Sequence, residues 1–262
     1  MNSKALIFSI LLCVMIPDQV EARADTEPLT QMEEVKANQV IRSLQQGDYK
    51  TALKILEGFA RAGKPSYQYL VGLIYMKENS TATNLPKAKY WLEKSARQGY
   101  IDAQMELVGL YLNGQGDTFK QDYRKALYWT EQAAKQGHVG SQQTLAIMYL
   151  DGAGTPVDLA KFLYWTERAA ENGDRVAQYN LGVMHMNSAP ELISLNVPMN
   201  IPKAIALINK SAVQGYAKAQ FYLGKIYQYG LYHPVDKEKA RFWYQRAAEQ
   251  GHEEAVEYLR NL

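Results

Sequence analysis

Four histidines, His138, His185, His233 and His252, and a lone cysteine, Cys13, are the residues of this 262-residue chain best suited to metal binding or nucleophilic chemistry. No two of the histidines stand four apart, the spacing that lets imidazoles on one helix face share a zinc ion, and none sits in an H-E-x-x-H setting. His138 and His252 each follow a glycine directly and His185 takes the place of a recurrent tyrosine, so a repeated structural position accounts for all three without catalysis. G-x-S-x-G, P-loop and Ser-x-x-Lys nucleophile motifs are absent. The pieces Gly114-Gln115-Gly116 and Gly152-Ala153-Gly154 end helical patterns and do not follow strands, which makes them turns, not phosphate cradles. The expectation is a protein without catalytic residues, metal or cofactor.

What the chain does carry is a period. Gly63, Gly99, Gly137, Gly173, Gly215 and Gly251 are separated by 36, 38, 36, 42 and 36 residues. Fifteen residues before each glycine stands Asp48, Asn84, Asp122, Asp158, Asn200 or Asp236, short oxygen-bearing side chains that can accept the unpaired amides of a first helical turn. Pro86 and Pro202 follow two residues after their caps, where a missing N–H costs little. A helix of about four turns is expected from each cap to its glycine, which suits a left-handed C-terminal cap. Inside it, alanine always stands three before the glycine, and every tryptophan (Trp91, Trp129, Trp165, Trp243) stands eight before it. A second helix follows each glycine, with Leu107, Leu145, Leu181, Leu223 and Leu259 in one buried register.

The pattern A-x-A-Q-Y-x-L-G-x-x-Y, a G-x-G loop, then D-x-x-K-A-x-x-W-x-x-x-A-A-x-x-G resembles the Sel-one-like repeat (SLR) family, a relative of the tetratricopeptide repeats. The resemblance covers roughly Asp48 to Leu262. It implies an all-α fold, a right-handed α/α superhelical solenoid of about five to six helix-turn-helix repeats, with the A-Q-Y-x-L-G helices lining a concave side. Residues 25–47 read as an N-terminal capping helix, Gln31 to Gln46 pairing with a first copy that has Ile55 in the Trp register and Tyr67 in the small one. A single elongated domain is favoured, since each repeat of a solenoid touches only its neighbours.

Residues 1–24 read as a cleavable secretory leader. Lys4 precedes the apolar run Ala5 to Ile16, Pro17 ends it, and Ala22-Arg23-Ala24 supplies a small-x-small cleavage pattern. Twelve apolar residues are too few to span a bilayer comfortably, so no stable membrane span is expected and the location is periplasmic or secreted. Cleavage after Ala24 removes the only cysteine, leaving packing in place of the disulfides of cysteine-rich relatives. Lys plus Arg total 29 against 27 acidic residues, with no basic block of the kind nucleic acid requires. Lys87, Lys125, Lys161, Lys203 and Lys239 form a row twelve before the glycines, a solvated helix start or a face for an acidic partner.

Function is expected at a surface. By resemblance to tetratricopeptide repeats, the position six after each glycine points into the groove, giving Tyr69, Met105, Gln143, Tyr179 and Phe221. Asp102 and Lys218 lie three residues earlier in their repeats. Such anchors with a polar rim suit a protein-binding groove. Six extra residues separate Gly173 from Gly215, and the insertion Ser188 to Met199 holds Leu192, Ile193 and Leu195, which either pack on the next repeat or touch a partner. The resemblance implies an exported bacterial, non-enzymatic scaffold, such as an immunity protein that blocks a lipase-type toxin of a type VI secretion system. The alternatives are a regulator of envelope or secretion machinery, a host-interaction virulence factor or, against the missing nucleophile motif, a β-lactam- or cell-wall-binding enzyme. The partner is another protein, a toxin or an envelope component, and no oligomeric state is implied.

Overall fold

A computed structural model describes residues 31–77, 83–186 and 197–262. The leader reading and the loop residues Leu192, Ile193 and Leu195 fall outside them. The described residues form thirteen α-helices: α1 (Gln31–Gln45), α2 (Tyr49–Arg61), α3 (Pro65–Met76), α4 (Leu85–Arg97), α5 (Ile101–Asn113), α6 (Tyr123–Lys135), α7 (Val139–Asp151), α8 (Leu159–Glu171), α9 (Arg175–His185), α10 (Ile201–Val213), α11 (Ala217–Tyr229), α12 (Lys237–Ala248) and α13 (Glu253–Arg260). They fall into two compact units, Met1–Ala133 and Ala134–Leu262. In the first unit α1 to α5, and in the second α7 to α13, each pack on their sequence neighbours. By repeat position α2, α4, α6, α8, α10 and α12 are first (A) helices and α3, α5, α7, α9, α11 and α13 second (B) helices.

The caps do what their chemistry predicts. Asp48, Asn84, Asp122, Asp158, Asn200 and Asp236 each accept the backbone N–H three residues on, at 3.0 to 3.1 Å. At the other end Gly173 has φ of 94°, a conformation in which an L side chain would be strained. Among the described residues, four of the five lysines of the row are held, Lys203 being the exception. Lys87, Lys125, Lys161 and Lys239 lie 4.8 to 5.3 Å over the rings of Tyr75, Tyr111, Tyr149 and Tyr227 on the preceding B helices. Three of the four also pair with the aspartate that caps their own helix.

The core of the first unit centres on Leu56, Leu70, Ile74, Leu92 and Leu107, all but shut off from solvent, and that of the second on Leu145, Ile208, Leu223 and Tyr244. Helices approach closely where a B helix carries glycine. A Cβ on Gly72 would lie 2.7 Å from Leu92, and one on Gly182 would lie 2.7 Å from Ile208. Gly224 faces the ring of Tyr244 in the same way. In that register the remaining B helices carry Val108 and Ala146, and the corresponding A-helix residues shrink to the buried threonines Thr130 and Thr166. Volume is thus traded across the contact, large against nothing and medium against small.

Polar groups in the core are arranged as regularly as apolar ones. The glutamine of each A-Q-Y motif is buried and donates its Nε2 to the carbonyl eight residues earlier: Gln68 to Ala60, Gln104 to Ala96, Gln142 to Ala134, Gln178 to Ala170 and Gln220 to Ala212. These carbonyls end the A helices, where each also accepts the N–H of the glycine three residues on, at 2.9 to 3.2 Å, so the glutamine supplies a second donor. Its Oε1 accepts from the next A helix, from Gln98 to Gln68, Asn172 to Gln142, Gln214 to Gln178 and Gln250 to Gln220, at 2.6 to 2.9 Å. One buried amide therefore closes its own hairpin and ties it to the next.

Candidate functional site

On a B helix the small residue and the leucine face the core, which leaves the residues three, six, seven and ten after the glycine on the other side. Tyr69 occupies the sixth place in α3 and Phe221 in α11, and both are buried. A residue of the next repeat contributes. The position directly after the next glycine is aromatic in these repeats and lies over the sixth: the Tyr100 ring is centred 5.5 Å from Tyr69, Tyr216 lies 5.4 Å from Tyr179, and His252 stacks at 4.5 Å on Phe221. Phe221 also meets Tyr244 and Tyr258, so it closes the end of the second unit and presents little surface to a partner.

In the first unit Asp102 and Met105 are half-buried on α5, in the same helix as Glu106. Glu106 is also half-buried, and desolvation raises its carboxyl above the ordinary range. Burial raises the Tyr69 hydroxyl far beyond its usual value, and the negative charges of Glu106 and Asp102 add to that shift. This is a small acidic, aromatic surface with low dielectric on one side.

The second unit gathers more. Gln143 is half-buried on α7, where Ile147, one turn on, is 48% exposed. Tyr179 of α9, Tyr216 just before α11 and Tyr222 of α11 form a cluster, with Tyr179 edge-on to both others at 5.4 and 6.2 Å. Each is half-buried. Burial pushes the Tyr179 hydroxyl up to about 12, so all of its polarity at neutral pH is that of a protonated phenol. Lys218 is exposed one turn before Tyr222, and Arg175 reaches the Gln214 carbonyl at 3.3 Å. A shallow depression of about 390 Å³ in the same unit is lined by Gln178, Asn209, Lys210, Val213 and Gln214. Of the residues expected in the groove, the structure therefore brings Tyr179 to a half-open aromatic site. It adds Tyr216 and Tyr222, whose positions after Gly215 were readable in the sequence.

The histidines serve the fold. His138 caps α7, its Nδ1 accepting from the Ser141 amide at 3.2 Å and meeting the Ser141 Oγ at 2.8 Å; Ser141 is fully buried in that cap. His185 is buried, with Nδ1 3.0 Å from the Pro198 carbonyl. His233 lies over Tyr227. Among the described residues no three His, Cys, Asp or Glu side chains converge as metal ligands, and no helix is long and apolar enough to cross a membrane.

The sequence pattern of the Sel1 repeat matches residues 65–100, 102–138, 141–174, 175–216 and 217–252. Among solved structures, a Sel1 repeat protein from Oxalobacter formigenes is 28% identical over 97% of this chain and 75% of its own, with a TM-score of 0.66. A protective antigen of uropathogenic Escherichia coli displaying an SLR fold is 27% identical over 80% of this chain and 59% of its own, with a TM-score of 0.45. An immunity protein from Pseudomonas aeruginosa is 14% identical over 95% of this chain and 82% of its own, with a TM-score of 0.44. No curated protein matches the chain.

Proposed function

The chain belongs to the Sel1 repeat family, and on that premise we propose that it is an exported, non-enzymatic scaffold whose B-helix face binds another protein. The specific form put forward for test is that of an immunity protein, which covers the active site of a delivered lipase-type toxin. The half-buried cluster of Tyr179, Tyr216 and Tyr222 carries this reading. Tyrosines held by packing lose little side-chain entropy on binding, and they offer a broad apolar face with a hydroxyl at the tip. Lys218 supplies a charged rim that sets register without carrying much energy. Export is supported by the apolar run Ala5 to Ile16 with its Ala22-Arg23-Ala24 cleavage pattern.

The test is affinity capture from the periplasm of the producing bacterium, with the chain from Asp25 onward as bait, beside a Tyr179→Ala/Tyr222→Ala variant whose helical circular dichroism matches the parent. The expected result is one stoichiometric toxin-like hydrolase that the parent inhibits and the variant binds at least tenfold more weakly. Recovery of envelope or secretion components moves the function to regulation. Equal binding by the variant removes the tyrosine cluster from the interface.

A further inference from the structure

The loop between α11 and α12 repeats, residue for residue, the backbone of the loop between α7 and α8. Leu231 N–H donates to the Ile226 carbonyl at 3.0 Å as Ala153 N–H donates to Met148 at 2.9 Å, and Asp236 N–H donates to Tyr227 as Asp158 N–H donates to Tyr149, both at 2.9 Å. Gly230 and Gly152 are both left-handed, with φ of 64° and 71°. Val235 and Val157 are exposed to the same degree.

The side chains on this shared backbone differ in one direction. Asp151, Ala153 and Gly154 of the first loop are replaced by Tyr229, Leu231 and Tyr232 in the second. Tyr232 takes the left-handed position that Gly154 fills in its twin, with φ of 62°, and it is the one non-glycine with positive φ among the described residues. A tyrosine there is strained, and its ring gains no burial in return, being 58% exposed. Tyr229, Leu231 and Val235 are exposed beside it. The twin loop closes without the side chains of Leu231 and Tyr232, whereas the valine is common to both loops.

The patch lies in a cation-rich stretch of the chain. From Ala217 to Ala248 the chain carries Lys218, Lys225, Lys237, Lys239, Arg241 and Arg246 against Asp236 and Glu238. Lys239 is neutralised by Asp236 at 3.1 Å, the one ion pair these cations make among the described residues. Lys225 lies one turn before Tyr229 and close enough to act on its hydroxyl electrostatically. Lys237 reaches the Leu262 oxygen at 3.5 Å, a long contact.

We propose that the Tyr229–Val235 loop is a second docking surface, distinct from the cluster of Tyr179, Tyr216 and Tyr222, that takes a partner segment with an apolar anchor flanked by carboxylates. The anchor seats among Tyr229, Leu231, Tyr232 and Val235, and the carboxylates meet Lys225, Lys237 and Arg241. It shares with the reading above only the premise that the chain binds proteins.

The test grafts the twin sequence, replacing Leu231-Tyr232-His233 by Ala-Gly-Thr. Because the graft restores glycine at the left-handed position, its melting temperature is expected to equal or exceed the parent's. The probe is a fluorescein-labelled peptide with Leu and Trp between runs of Glu, read by anisotropy against a matched peptide with Lys in place of Glu. The parent binds the acidic peptide at least tenfold more tightly than the basic one, binding weakens with salt, the graft loses it at least tenfold, and Tyr179→Ala/Tyr222→Ala keeps it. The proposal is overturned by equal binding of both peptides, by a graft that binds like the parent, by loss in the Tyr179→Ala/Tyr222→Ala variant, or by no peptide binding. It is also overturned if the graft instead abolishes only self-association in sedimentation, or only binding to phosphatidylglycerol vesicles.

Discussion

Replacing Gly182 by alanine puts the volume trade between helices under direct test. The new methyl group would lie 2.7 Å from Ile208 Cγ1 and 3.1 Å from the Ala204 carbonyl. Neither can retreat easily: Ile208 is fully buried, and the carbonyl belongs to the backbone of α10. Overpacking of this kind costs about 1–3 kcal/mol. Alanine returns about 0.5–1 kcal/mol through better helix propensity, so a net loss of about 1–2 kcal/mol is expected. For a chain of this size that lowers the melting temperature by roughly 2–8 °C. Ile208→Ala alone should cost about 2–5 kcal/mol by leaving a cavity. In the Gly182→Ala/Ile208→Ala double variant the added methyl group enters space that the isoleucine has vacated, so the combined loss should fall short of the sum by at least about 1 kcal/mol. Urea titrations of the four proteins followed by circular dichroism in the far ultraviolet give this coupling. Additivity within about 0.3 kcal/mol, or a Gly182→Ala variant as stable as the parent, would refute the close-approach argument.

Gln178→Leu removes one of the two donors to the Ala170 carbonyl, which keeps the Gly173 N–H, and takes the acceptor from the Gln214 amide; it should cost about 0.5–1.5 kcal/mol in the same titration, and a loss below about 0.3 kcal/mol would mean that water replaces both bonds. Acid should destabilise the protein through its caps. The carboxyls of Asp122, Asp158 and Asp236 are held below their ordinary value chiefly by the backbone N–H groups that donate to them, so their contribution is complete above about pH 4 and lost as pH falls through their folded values. Glu106 runs the other way, since burial raises its pKa and favours the protonated folded state. Glu106→Gln should therefore raise the urea midpoint at about pH 7 and leave it unchanged near pH 3; equal midpoints at neutral pH would show that the carboxylate is solvated.

Most of the hairpin framework is legible in the sequence because it depends on residues whose backbone chemistry is local. A cap oxygen, a left-handed glycine and an apolar residue every three or four positions act within one or two turns, and each is placed by its spacing from the recurring glycine. The candidate site is less legible because exposure is decided between repeats. Tyr69, Tyr179 and Phe221 share one register, and each meets a ring that belongs to the following repeat, Tyr100, Tyr216 or His252, yet only Tyr179 is left half-buried. The role of the lysine row is hidden for a similar reason. Its partners are tyrosines of the preceding hairpin, outside the window in which a helix start is recognised. The glutamine of the A-Q-Y motif is visible as a letter, but its two partners lie eight residues before it and roughly thirty after it.

That glutamine bears on how the second unit comes apart. Gln142, Gln178 and Gln220 each bond backward to the end of their own A helix and forward to Asn172, Gln214 or Gln250 of the next. A hairpin that opens at one end of the series leaves a buried amide half-satisfied in its neighbour, so opening is penalised at every step. Nearest-neighbour coupling of this kind lengthens the stretch that melts as one event. Hydrogen exchange in the second unit should then report shared opening energies across adjacent hairpins, not a gradient of independent ones, and the length of that shared stretch should shrink where a rung is removed.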